Sequence, residues 1–155
     1  MAISPNDTFT SGQILTAQEC NQFPFGVVAY AQVTTSDTTI TAEEIQVTST
    51  SFTALANRYY RITYYEPQLL PASGGFIVLR IRKTNLAGTA LQQGQSQSPT
   101  GSSLGGTVNL SVVTTFTAGS TTVVATLEGG FGLDGDANRA ATYPAFLLVE
   151  DIGPA

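Results

Sequence analysis

Gly101-Ser102-Ser103-Leu104-Gly105 has the Gly-x-Ser-x-Gly spacing of a nucleophile elbow, in which a strained strand-to-helix turn lifts a serine toward a histidine. The chain has no histidine, the side chain whose ordinary pKa lies nearest neutrality, so Ser–His and Cys–His catalysis are closed. No helical period follows the motif, and a Ser/Gly-rich loop accounts for it. Asp134-Gly135-Asp136-Ala137-Asn138 sets three oxygen-bearing side chains at alternate positions, as the opening of a calcium loop does. An EF-hand next needs a glycine at its sixth position and an acid at its twelfth, and those places hold Arg139 and Ala145. A solvated turn is the reading carried forward, with a calcium site between strands as the alternative. Glu43-Glu44 and Glu150-Asp151 are adjacent acids, and neighbours on a strand point to opposite faces. Glycoside hydrolysis needs its two carboxylates held across a cleft. The expectation is a chain with no catalytic residue, no metal and no cofactor, and not an enzyme.

What remains is contact chemistry. Tyr59, Tyr60, Tyr64 and Tyr65 form the densest aromatic cluster, beside Arg58 and Arg61. Tyrosines join apolar area to a polar tip and suit a sugar- or protein-binding face. The plainer account is a strand buried on one side in the core and on the other at a subunit interface. Tyr59, Arg61 and Tyr65, with Arg80 and Arg82 on a later strand and Asp134, Asp136 and Arg139 in the loop, are the candidate interface or receptor contacts.

Composition agrees with a surface made for contact. Charged residues are 11% of the chain against the usual quarter, while threonine and serine approach a quarter. Such a surface is understandable where copies of the chain or a partner cover it. Net charge is −5 and the pI about 4.4, so a phosphate backbone is repelled and nucleic acid is rejected as a primary partner. Cys20 is the single cysteine, which leaves no intrachain disulfide and a default role as a small buried hydrophobe. Met1–Thr10 lacks the basic and apolar regions of a secretory signal, and no apolar run approaches the ~20 residues that span a bilayer. Assembly in a cytoplasm without membrane insertion is expected.

The elements that must position these residues are strands. Alternation marks Gly26–Thr34, Thr39–Thr48, Arg58–Glu66, Phe76–Thr84, Thr107–Thr117, Ser120–Glu128 and Tyr143–Ile152. Ile77, Leu79 and Ile81 face a core while Arg80 and Arg82 face outward. Within the last segment, Tyr143–Val149 is apolar at nearly every position and reads as buried on both faces, which implies an oligomer. Leu86–Gly106 and Gly129–Ala141 read as polar loops and contact regions. Before the strands, Thr16-Ala17-Gln18-Glu19 has capping-box spacing for a helix that Pro24 ends by about Gln22. So short a helix must dock, and residues 1–25 read as an anchoring arm with Phe9, Ile14, Leu15, Phe23 and Phe25 as its apolar contacts. Residues 26–155 read as one domain, an all-β, jelly-roll-like antiparallel sandwich of about eight strands.

Phe9-Thr10-Ser11-Gly12-Gln13-Ile14-Leu15-Thr16-Ala17-Gln18, then Asn21 and Pro24-Phe25-Gly26-Val27-Val28, resembles the openings of small virion proteins of tailed bacteriophages. The likeness is nearest to minor tail, tail-fibre and head-decoration components of phages of actinobacteria. Arg61-Ile62-Thr63-Tyr64 and the closing Ala145–Pro154 are similar too; Cys20 and Gln22 depart from the pattern, standing where apolar and Asn residues would be. The resemblance implies a structural virion component, often a homotrimer, that contacts itself and other virion proteins. A minor tail protein at the tip or fibre is the first expectation. A capsid decoration protein at capsomer junctions is its alternative, and so is a lectin-like module binding a host surface glycan through Tyr59, Tyr65 and the Asp134–Arg139 loop.

Overall fold

The computed structural model describes residues 11–12, 14, 16–101 and 105–155. Within them lie the helical turn α1 (Ala17–Cys20) and strands β1 (Gly26–Val33), β2 (Glu44–Thr48), β3 (Phe52–Ala54), β4 (Arg58–Pro71), β5 (Phe76–Lys83), β6 (Ala90–Gln97), β7 (Gly106–Thr115), β8 (Gly119–Thr121), β9 (Val123–Gly129), β10 (Gly135–Ala137) and β11 (Ala145–Pro154). One sheet runs β1-β11-β4-β7, with β10 beside the far end of β4; the other runs β2-β9-β5-β6, and β3 pairs with β8. Setting aside the short β3, β8 and β10, the principal strands stand in chain order 1-8-3-6 and 2-7-4-5, all antiparallel. That is the double Greek key of a jelly roll, as the sequence predicts.

Period-two burial explains why these segments became strands. Tyr60, Ile62 and Tyr64 of β4 and Ala145, Leu147 and Val149 of β11 point inward and are buried. They meet Ile77, Leu79 and Ile81 of β5 and Val123, Ala125 and Leu127 of β9. Each large aliphatic among them stabilises the fold by about 1.5–3 kcal/mol relative to exposure. Phe52, Tyr60 and Phe116 close one end with ring centroids 5.5–5.8 Å apart, and the Leu55 amide donates to the Tyr60 hydroxyl at 2.8 Å.

Several expectations are corrected. Leu86–Gly106 is not a plain loop, because Ala90–Gln97 pairs along β5. Its inward positions include Gly94 and Ser96, which carry no apolar signal. A β-carbon on Gly94 would stand 3.2 Å from Leu110 Cδ1, a tight contact that glycine avoids at the position that hid the strand. The strand expected at Arg58–Glu66 continues to Pro71, with a register shift between Glu66 and Leu69 that accommodates Pro67, which has no amide to donate. Gly129–Ala141 contains the short strand β10 on Leu69–Pro71. Within one chain β11 buries its inward positions and leaves Phe146, Leu148, Glu150 and Ile152 half-buried on the outer face, so burial on both faces would require another copy to cover them. Cys20 is exposed, since a one-turn helix has no face to bury.

The capping box forms as read: the Glu19 amide donates to Thr16 Oγ1 at 3.2 Å, and the Thr16 amide donates to Glu19 Oε2 at 2.6 Å. Of the expected arm contacts, Phe9 and Leu15 lie outside the described residues; Ile14 is 87% exposed, and Phe23 and Phe25 are exposed in part. Asn21–Phe25 docks on the chain's own sandwich. Arg58 donates to the carbonyls of Asn21 and Phe23, each at 2.6 Å, and the Phe25 amide donates to Asp151 Oδ1 at 3.3 Å.

Candidate functional site

The two outer faces of the sandwich differ in chemistry. On the β5–β9 side the charges pair with one another. Arg82 donates to both oxygens of Glu43 at 2.6 and 2.8 Å, Arg80 reaches Glu128 at 2.5 Å and Gln93 at 2.8 Å, and Thr126 donates to Glu43 at 2.6 Å. The Arg82 guanidinium holds the Glu43 carboxyl below its usual range against the opposing effect of burial. Arg80 and Arg82, expected as outward contacts, do face outward, but each is paired with carboxylates on its own side of the sandwich.

The outer face of the other sheet is apolar and hydroxylic. Strand register arranges it in rows across β1, β11, β4 and β7: Val27–Glu150–Arg61–Val113, Tyr30–Leu148–Thr63–Ser111 and Gln32–Phe146–Tyr65–Asn109. Val27, Tyr30 and Val113 are 60%, 44% and 52% exposed. The charged pair of this face is Arg61–Glu150 at 2.9 Å; with Arg61 half exposed, it contributes no more than about 1 kcal/mol. Phe146 stacks on Tyr65 with centroids 5.1 Å apart and planes 18° apart, and Tyr30 lies 6.1 Å from Phe146. Rings lying flat side by side could not approach so closely, so Phe146 and Tyr65 stand up from the sheet, one on each strand. Each ring of this pair covers one face of the other, which leaves less ring face for a sugar to stack on than two separate rings would.

The other expected contacts separate. Tyr59 shares a row with Gly153 and Thr115 at the arm end of the same face. Asp134 is exposed, and Asp136 is half-buried on β10. Arg139 is no surface contact at all. It is buried, donating from Nε and Nη2 to the two oxygens of buried Glu66 at 2.8 Å each, while the Tyr64 hydroxyl donates to Glu66 Oε2 at 2.5 Å. Burial and the Glu66 charge push the Tyr64 hydroxyl well above its ordinary pKa. Arg139 is pulled down by desolvation but raised further by Glu66. This is a structural clamp between β4 and the loop after β10.

Arg58 and Asp151 make a second buried clamp, an ion pair through Nε together with an Nη2 hydrogen bond of 2.5 Å, and the guanidinium lies 4.0 Å over the Phe25 ring. Beside it a cleft of about 500 Å³ is bounded by Asn21, Gln22, Phe25, Leu55–Arg58 and Pro154–Ala155. The Arg58 donors that could serve a ligand there already hold Asp151 and the arm. Among the described residues no three His, Cys, Asp or Glu side chains gather as metal ligands. The residues that sequence reasoning missed are Val27, Tyr30, Val113, Phe146 and Leu148. Each shows period two within its strand, but which period faces outward needs the pairing of four strands distant in the chain.

No family model and no curated protein matches this chain. Among solved structures it is similar to the Eiger TNF of S. frugiperda, at 9% identity over 84% of this chain and 94% of that one, with a TM-score of 0.49. It is also similar to a Bacillus endospore appendage described as a disulfide-linked pilus, at 13% identity over 97% and 98%, with a TM-score of 0.38. A third likeness is to the VP2 subviral particle of infectious bursal disease virus, at 13% identity over 97% of this chain and 43% of that one, with a TM-score of 0.44.

Proposed function

We propose that the chain is a non-enzymatic structural component of a tailed-phage virion, a minor tail protein of the tip or fibre that assembles as a symmetric oligomer. The observation that carries the assembly reading is the contrast between the two outer faces. One satisfies its charges internally; the other leaves Val27, Tyr30, Phe146, Tyr65, Leu148 and Val113 as a nearly neutral surface centred on β11 and β4. Burying such a surface gains about 25 cal/mol per Å² of apolar area and meets little charge desolvation. The virion setting rests on the phage-like opening and closing segments, and tail placement is the reading given to that resemblance.

Gold-antibody electron microscopy of particles from the producing culture tests it. Label at the tail end is the expected result. Label over the head would make the chain a decoration protein at capsomer junctions, and particles without label would overturn the virion assignment. A glycan array separates the lectin-like reading: binding lost in Tyr59→Ala or Tyr65→Ala would displace the structural role.

A further inference from the structure

Three of the four outermost principal strands carry no charged residue: β1 (GVVAYAQV), β6 (ALQQGQSQ) and β7 (GTVNLSVVTT). The charges sit instead on central strands, among them Arg61 and Glu66 on β4, Arg80 and Arg82 on β5, Glu128 on β9 and Glu150 on β11. Proteins that must remain single copies do the reverse, placing lysine or proline on edges so that unpaired amides and carbonyls do not recruit another strand. In the β2–β6 sheet one edge still holds Glu44. The sheet bounded by β1 and β7 is charge-free at both edges, and among the described residues no other strand covers either one. A register shift between Val27 and Ala29 is the one irregularity of β1 along its pairing with β11.

We infer that β1 of one copy pairs with β7 of the next, continuing the sheet head to tail. This deepens the assembly reading above and rests on it for its setting. Direction permits the pairing: each neighbour in β1-β11-β4-β7 is antiparallel, so β1 and β7 run oppositely and the next copy's β7 meets β1 in the antiparallel sense. Side chains match when the rows continue in register. The row ending in Val27 begins with Val113, the row ending in Tyr30 begins with Ser111, and the row ending in Gln32 begins with Asn109. Valine thus meets valine, phenol meets hydroxyl and amide meets amide. Two copies of β1 paired about a two-fold axis would lose this matching. A head-to-tail contact is heterologous and closes as a ring of at least three copies when the rotation between neighbours allows.

The test is native mass measurement of the full chain from micromolar to millimolar concentration, with Val27→Lys, Val113→Glu and the double variant. In its own copy Val27→Lys lies beside Glu150 and Val113→Glu beside Arg61, so the fold tolerates both; thermal melting of each variant checks this. The wild type is expected at three or more times the 16.2 kDa chain mass. Each single variant should fall to one chain, and the double variant should reassemble because the lysine of one copy then meets the glutamate of the next. Single variants that retain the wild-type mass would overturn the edge pairing. So would single variants that fall to one chain with no recovery in the double variant, the outcome expected if Val27 and Val113 are buried by face packing instead. A wild type of two chains, or of one chain at every concentration, would also overturn it. The virion reading is judged separately by particle labelling.

Discussion

Arg139 and Arg58 use the same device for different ends. Each guanidinium is buried against one carboxylate and finishes its valence on backbone carbonyls: Thr35 for Arg139, Asn21 and Phe23 for Arg58. Removing one partner of a buried pair strands a charge, which costs about 3–5 kcal/mol, whereas replacing both with apolar residues is near neutral. Arg139→Met is therefore expected to destabilise by that amount in urea denaturation. Adding Glu66→Leu should recover most of the loss, apart from the hydrogen bond that Tyr64 forfeits. Equal destabilisation in the single and double variants would show that packing, not charge, sets the cost. Arg58→Lys should behave nearly as a loss, since an ammonium cannot reproduce the planar fork that reaches Asp151 and two carbonyls at once. Both arginines stand out in the sequence only as charges; that they are interior depends on carboxylates 73 and 93 residues away.

Among elements, the arm divides at Asn21. α1 has one turn, with Ala17 and Cys20 exposed, and is held by its own capping box. Asn21–Phe25 is held by Arg58 and Asp151. Deleting residues 1–20 is expected to leave the unfolding midpoint within a few degrees of the full chain. Deleting residues 1–25 should lower it clearly, because buried Arg58 then loses two charge-assisted acceptors worth about 1.5–3 kcal/mol each. Equal midpoints for the two truncations would show that the docked segment adds nothing. β6 carries a further expectation: Gly94→Val should destabilise by about 1–3 kcal/mol, since Leu110 must give way to the added carbons. Thermal melts of the variant check it.

For the whole molecule, acid stability turns on carboxylates shifted in opposite directions. Glu43 is lowered, chiefly by Arg82; Asp37 is lowered because hydrogen bonds from Gln46, Thr39 and Glu44 outweigh its burial. Their stabilisation is present above the ordinary carboxylate pKa and is lost as pH falls through the lowered folded values. Glu44 is raised, by burial first and then by its hydrogen bond to Asp37 and that group's charge. Its contribution is present below the ordinary pKa and lost as pH rises through the raised value. Its Oε1 atom is buried without a hydrogen-bond partner. Glu44→Gln should thus raise the unfolding midpoint near pH 7 and leave it little changed below about pH 4, where Glu44 is already protonated. A uniform shift at both pH values would rule out titration as the cause.

Much of this molecule was legible in the chain. Alternation placed most principal strands, the absence of histidine closed the usual nucleophile schemes, and Thr16 with Glu19 announced the helical turn at Ala17–Cys20. Those readings depend on neighbours two to four residues apart, where backbone geometry alone decides which way a side chain points. β6 stayed hidden because two of its inward positions hold Gly94 and Ser96, which break the apolar alternation that Leu91 alone cannot show. The sides of Arg58, Arg139 and Glu66, and the gathering of Val27, Tyr30, Phe146, Tyr65 and Val113 on one face, were decided only in the folded sheet. Those relations join residues far apart in the chain, and cross-strand register, which no local pattern encodes, is what brings them together.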